Sequence, residues 1–197
     1  MKPIILASRS PTRGRLLAAA GISFSVDPAD IDERSEVDAL ARAHSSPSVI
    51  ALDLAAKKAR LVAQRHPDAM VIAADQTLEI DGRTMLKPTS IEEATEQLRR
   101  LRGRGHYLHS AVTCINGGSV WRHTSSARLV MRFFSDEFLD AYVATCGERT
   151  LESVGAYHLE GHGIQLFQEI DGDFFTILGL PLIPLLDHLR TEGLLLR

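Results

Sequence analysis

Two cysteines, Cys114 and Cys146, are all that this 197-residue chain contains, and their separation matches no metal-ligand spacing. A disulfide framework and a catalytic dithiol are therefore set aside, and both thiols are expected as free groups of the core. No apolar run approaches membrane-spanning length. Ile4–Ala7 is too short for a signal-peptide core, and Arg9 and Arg13 follow at once. The chain is expected in the cytoplasm, with no membrane partner. An excess of positive charge is also missing: the formal net charge is −3 and the pI is near 6.2. That balance argues against a nucleic-acid surface and leaves room only for a local basic pocket. Repeats, low-complexity tracts and long linkers are absent as well. Neither the Walker glycine-lysine pattern nor GxGxxG occurs.

What the chain does contain is ordinary for a self-folding globular protein, with 45% hydrophobic and 24% charged residues. Its length suits one sizeable core over residues 1–197, as one domain or a compact two-lobed one. The stretch that organises the reading is Ile5-Leu6-Ala7-Ser8-Arg9-Ser10-Pro11-Thr12-Arg13-Gly14-Arg15-Leu16-Leu17. It predicts a short buried strand, a tight loop, and a helix capped by Ser10 with proline at its first position. A helix start favours acidic side chains, yet this one is surrounded by Arg9, Arg13 and Arg15. Either these arginines are solvated, or the helix start, the serine hydroxyls and the guanidinium groups together hold an anion such as phosphate.

Asp27, Asp30, Asp32 and Glu33 form an acidic loop after a short strand at 22–26. Such a loop is solvated, caps the next helix, or offers Asp30, Asp32 and Glu33 to a hard cation such as Mg²⁺ or Mn²⁺. Ser48 is expected to cap a helix through Arg65, which carries Lys57 and Lys58. The apolar run Ala69–Ala74 predicts a buried strand ending at Asp75-Gln76-Thr77, a common place for an active-site carboxylate. A hairpin turning at Asp81-Gly82 then delivers Lys87-Pro88, and Ser90 with Glu93 forms a capping-box pattern.

The second half predicts strands at 107–115, 119–124 and 127–134, with a turn at Asn116-Gly117, then a helix capped by Ser135. A strand ending near Ile170 and another at 174–178 precede a last helix opened by Gly179-Leu180-Pro181. The sum is a mixed α/β fold. Glycines beside His158 and His162 speak against a helical metal pair, and His106 and His109 face opposite ways on a strand.

In order, Ala7-Ser8-x-Ser10-Pro11-x-Arg13 with Leu16-Leu17, Ile31-Asp32-Glu33, Leu54-Ala55-x-x-Lys58-Ala59, Ala74-Asp75, Lys87-Pro88, Gly155-Ala156-Tyr157, Glu160-Gly161 and Gly179-Leu180-Pro181 resemble the Maf family of nucleoside triphosphate pyrophosphatases. The resemblance implies a mixed α/β sheet in two lobes around a central cleft, similar to inosine triphosphate pyrophosphatases. It implies hydrolysis between the α and β phosphates with a divalent cation, Mg²⁺ or Mn²⁺, giving a nucleoside monophosphate and pyrophosphate. It also implies removal of modified nucleotides, restraint of septum formation, and a homodimer.

By the same resemblance Asp75 activates water and, with Glu33, holds the metal. Lys87 and Glu33 complete the catalytic set, while Ser8, Ser10, Arg13 and Lys58 bind phosphate oxygens. Such cations suit a polyphosphate, whose charge must be neutralised before attack. Thr12, Gln76 and Glu160 match positions that select the base. Gln76 and Glu160 are similar to the branch acting on 7-methylguanosine triphosphate. Thr12 departs from that branch's tryptophan, and Leu86 replaces a glycine usual before Lys-Pro. A dTTP/UTP pyrophosphatase, a nucleotidyltransferase and a non-catalytic nucleotide-binding regulator of division are the alternatives.

Overall fold

The computed structural model describes residues 2–196. A seven-stranded mixed sheet forms its centre: β1 (Ile4–Leu6), β2 (Ser25–Val26), β3 (Met70–Ile80), β4 (Arg83–Met85), β5 (Gly105–Asn116), β6 (Ser119–Met131) and β7 (Phe167–Asp171), in the order β2-β1-β3-β5-β6-β7 with β4 on β3. β1 pairs in parallel with β2 and β3, and the remaining pairs are antiparallel. The helices are α1 (Pro11–Ala19), α2 (Glu33–Arg42), α3 (Pro47–Arg65), α4 (Ile91–Leu101), α5 (Asp136–Cys146), α6 (Phe174–Ile177) and α7 (Leu182–Thr191). Three short 3₁₀ turns lie between α5 and β7.

β3 is the axis. Alternation along a strand puts Ile72, Ala74, Gln76, Leu78 and Ile80 on one face. Ile72 and Ala74 pack with Leu17 of α1 and Leu185 and Leu189 of α7. Leu78 and Ile80 pack with Leu98 of α4 and Leu139 of α5. Two apolar cores therefore share one face, and they part at Gln76. On the other face Val71 and Ala73 pack against Ala59 and Val62 of α3. The two cores give the sheet its two lobes, and the cleft opens where the strand turns polar.

Several expectations change. β3 does not end at Asp75 but runs unbroken to Ile80, because the polar triplet Asp75–Thr77 stays in register with Ala111–His109 of β5. The strands expected at 119–124 and 127–134 are one strand, β6. The loop before it is Gly117-Gly118, since Asn116 and Ser119 are already paired. Residues 174–177 form a helix rather than a strand: Asp173 caps α6 by accepting the Thr176 N–H at 2.7 Å. α3 starts at Pro47 under a Ser46 cap, not at Ser48. The strand at 22–26 shrinks to Ser25–Val26. Ser90 caps α4 as expected, yet Glu93 reaches back to the N–H and hydroxyl of Thr89 rather than to Ser90 itself.

Candidate active site

α1 begins as its sequence predicts, with Pro11 in the first turn and Ser10 accepting the Arg13 N–H. No acidic residue stands in that turn, so the positive helix end faces the cleft uncompensated. Ser8 lies just before it, 7% exposed, and its hydroxyl oxygen accepts from the Ser10 N–H at 3.2 Å and from Arg13 Nη1 at 3.2 Å. Arg13 also donates from Nη1 to the Ala74 carbonyl and from Nε to the Gly179 carbonyl, both at 2.8 Å. The guanidinium thus ties α1 to β3 and to the link between α6 and α7. Gly179 has φ of +90°, and a Cβ there would stand 3.4 Å from Arg13 Nη2. Glycine suits this position because it adopts that conformation and lets the guanidinium approach closely.

Lys58 occupies the buried stripe of α3, in line with Ala51, Ala55, Ala59 and Val62. Its ammonium donates to Glu33 Oε1 at 2.7 Å and to Asp75 Oδ1. Only 7% of the Lys58 and Asp75 side chains is exposed, whereas Glu33 is half exposed. The neighbouring Lys57 turns outward to Glu36 at 2.5 Å. Burial raises the Asp75 pKa, against the opposing pull of Lys58 and Arg13. At Glu33 burial acts in the same direction, but Lys58, Lys87 and Arg13 outweigh it and hold the carboxyl below its usual range. Burial, then repulsion from Arg13, lowers Lys87, and burial lowers Arg13. Each shift reflects charges crowded into a partly dry site.

One cleft of ≈420 Å³ is lined by the ten residues that the family resemblance assigned to the site: Ser8, Ser10, Thr12, Arg13, Glu33, Lys58, Asp75, Gln76, Lys87 and Glu160. The three other carboxylates of the acidic loop do not take part in this ion cluster. Asp30 pairs with exposed Arg9 at 3.4 Å, and Asp32 caps α2 by accepting the Ser35 N–H. Asp27 is held by Arg65 and His66. The three-carboxylate cation site considered from the sequence therefore reduces to Glu33 facing Asp75. Among the described residues no group of three or more His, Cys, Asp or Glu is placed to hold a metal. His106 bonds Tyr157 at 2.7 Å, and His109 lies between Ser126 and Glu79. Both cysteines are free.

Next to Asp75 on β3, Gln76 Nε2 donates to Ser110 Oγ at 3.0 Å and to the Thr176 and Ile177 carbonyls at 3.1 and 2.9 Å. Three acceptors around the amide nitrogen fix its orientation, which leaves Oε1 as the group free to accept. Glu160 stands 3.6 Å from Arg15 and 3.9 Å from His158, while Thr12 Oγ1 accepts from Arg15 at 3.0 Å. Sequence reasoning missed Ser110 and the α6 carbonyls, and it named Arg15 only as a solvated or anion-binding arginine, whereas the side chain stands beside Glu160 and Thr12. Ser110 alone carried a signal, as the hydroxyl directly across from Gln76 in the β3–β5 register.

A family model described as Maf-like protein matches residues 3–192. A protein of Rhizobium meliloti named 7-methyl-GTP pyrophosphatase is 50% identical over 195 residues, covering 98% of each chain. One of Paramagnetospirillum magneticum named nucleoside triphosphate pyrophosphatase is 48% identical over 190 residues, covering 96% of this chain and 98% of its own. A third, from Brucella abortus biovar 1 and also named 7-methyl-GTP pyrophosphatase, is 46% identical over 190 residues and 96% of each chain. A crystal structure of a nucleoside-triphosphatase / dITP/XTP pyrophosphatase from Mycobacterium abscessus overlays at a TM-score of 0.45 with 16% identity, covering 96% of this chain and 97% of that one. That likeness is too distant to inform the chemistry.

Proposed function

This chain belongs to the Maf family, and from that premise we propose that its cleft hydrolyses a nucleoside triphosphate between the α and β phosphates, releasing a nucleoside monophosphate and pyrophosphate. The observation that carries the reading is convergence. Arg13, Glu33, Lys58, Asp75 and Lys87 come from separate segments of the chain and line one cleft. Cations set around a polyphosphate lower the charge that repels an attacking water, and they stabilise the charge that grows on the leaving group. Arg13 keeps Nη2 for this task, because its other nitrogens are bound to the protein. Ser8, Ser10 and the start of α1 add neutral donors.

Asp75 is the proton acceptor in this scheme. Lys58 engages Oδ1, and no hydrogen bond to Oδ2 occurs among the described residues, so that oxygen is left for the proton of a water. As water attacks phosphorus, the bridging P–O bond breaks, the proton passes to Asp75, and the bridging oxygen leaves with its electron pair. Burial raises the Asp75 pKa and so makes it a better acceptor.

A divalent cation fits the donor set. Glu33 and Asp75 already share one cationic group, the Lys58 ammonium, and Mg²⁺ sites commonly use one or two carboxylates plus substrate phosphates. Glu33 and Asp75 would hold it, and it would supply charge neutralisation at the phosphates.

For the base we put 7-methylguanosine triphosphate first. Glu160 and the clamped Gln76 both present acceptors. The guanine edge offers two neighbouring donors, N1–H and the amino group, while uracil and thymine offer one N–H between two carbonyls. The alkylated base also carries positive charge, which a carboxylate favours. Thr12 is too small to stack on it.

The test incubates the protein with Mg²⁺ or Mn²⁺ and a panel of 7-methyl-GTP, GTP, dTTP, UTP and ATP. Pyrophosphate with a nucleoside monophosphate is expected, fastest from 7-methyl-GTP. Orthophosphate alone, or no release from a bound nucleotide, refutes the reaction.

A further inference from the structure

We propose that Lys58 keeps the Glu33–Asp75 carboxylate pair closed to divalent cations until a nucleotide arrives, so that metal and triphosphate enter the cleft together. The inference rests on the triphosphate reading above, and it concerns the order in which the site fills.

The ammonium stands where a metal held by both carboxylates would be. It lies 2.7 Å from Glu33 Oε1 and in direct contact with Asp75 Oδ1. A primary ammonium and a hard divalent ion compete for the same anionic oxygens. Exposure of 7% on the Lys58 and Asp75 side chains leaves this pair little water to weaken it. The backbone of Lys58 is anchored within α3 among buried Ala55, Ala59 and Val62. Release must therefore come from rotation of its flexible four-carbon stem rather than from movement of the helix.

Charge decides when that rotation is favourable. Among the five groups that act directly on one another, Arg13, Lys58 and Lys87 exceed Glu33 and Asp75 by one positive charge. A divalent ion arriving alone would raise that excess and would also have to push the Lys58 ammonium off Glu33 and Asp75, the two carboxylates it pairs with among the described residues. A triphosphate reverses both terms. Its oxygens neutralise the surplus and give the ammonium a new acceptor, which frees the carboxylates. Binding that removes a competing contact produces positive coupling between the two ligands, and the coupling is reciprocal.

Binding of Mn²⁺ is measured by the loss of the free-ion electron paramagnetic resonance signal. Wild type and Lys58→Gln are compared, each without nucleotide and with the α,β-methylene analogue of GTP, whose CH₂ bridge replaces the scissile oxygen. Ion held by the analogue alone is subtracted. Wild type is expected to bind Mn²⁺ weakly by itself and about 10-fold or more tightly with the analogue. Lys58→Gln is expected to bind Mn²⁺ alone about 10-fold or more tightly than wild type. Equal binding of Mn²⁺ alone by the two proteins overturns the proposal, as does wild type that binds the ion equally well with and without the analogue. If Lys58→Gln loses its circular dichroism signal, the wild-type pair of measurements decides. Should no triphosphate be hydrolysed while Lys58→Gln gains Mn²⁺ binding alone, the substrate reading fails and the role of Lys58 stands.

Discussion

Arg13→Lys keeps the charge and removes the fork, so it separates two jobs that one side chain performs. In the native protein the guanidinium bonds the Ala74 and Gly179 carbonyls at 2.8 Å each and the Ser8 hydroxyl at 3.2 Å. A hydrogen bond from a charged donor contributes roughly 1.5–3 kcal/mol. A lysine ammonium carries one nitrogen and, placed on the same stem, reaches one of the two carbonyls. The expected loss of folding stability is therefore about 2 kcal/mol, a large share of the roughly 5–15 kcal/mol of a typical domain. It should appear in urea titrations as a lower midpoint with an unchanged slope. Hydrolysis should suffer more, because the single lysine nitrogen that takes over a backbone carbonyl leaves no second nitrogen, like the native Nη2, to offer a phosphate oxygen. A drop of about 10²-fold or more in kcat/KM is expected. An unchanged urea midpoint would refute the claim that this fork ties α1 to β3 and the α6–α7 link. Normal kcat/KM in a destabilised variant would make Arg13 a structural tie and remove it from phosphate binding.

Asp75→Asn should lower turnover by about 10²–10⁴-fold while nucleotide binding, followed by calorimetry, persists; an active Asn variant excludes Asp75 as the proton acceptor. His106 is buried beside Tyr157, and burial lowers its pKa to about 4 from the 6.5 of the unfolded chain. The unfolded state then takes up the proton first, so stability present above pH 6.5 is lost as the pH falls toward 4, by up to about 3 kcal/mol. Urea midpoints at pH 7.5 and 5 measure this, and a His106→Phe variant should lose that part of the pH dependence. Gly155→Ala places a methyl 2.6 Å from Leu78 Cδ1 at a φ of +77°, and about 2–4 kcal/mol of destabilisation is expected from strain plus overpacking. An unchanged melting temperature would contradict that crowding. Glu160→Gln exchanges a charged acceptor for a neutral one and should reduce the preference for 7-methyl-GTP over dTTP by about 10-fold; an unaltered ratio removes Glu160 from base selection.

Local chemistry made a good part of this protein legible in its sequence. The Ser10 cap, Pro11 and the unbalanced arginines announced the helix start that faces the cleft, and the apolar run before Asp75 announced β3, because capping and burial depend on near neighbours. Lys58 was also partly readable, since it falls on the same helical stripe as Ala51, Ala55, Ala59 and Val62, yet its partners lie in other segments. Where the sequence misled, longer-range pairing was the cause. Phe174–Ile177 is rich in strand-forming residues but is a helix, because Asp173 caps it and Ser110 and Gln76 bind its carbonyls. Residues 125–126 suggested a break in β6, but the register with Ser110 and His109 carries the strand straight through. The sequence by itself determined which charges the chain carries and where α1, α4 and α5 begin, under Ser10, Ser90 and Ser135. Only the tertiary structure decided that Glu33 leaves its acidic neighbours for Lys58, that Gln76 turns its carbonyl free, and that five separated charges share one cleft. Those choices depend on what each side chain meets after the sheet has closed, and no window of sequence contains both partners.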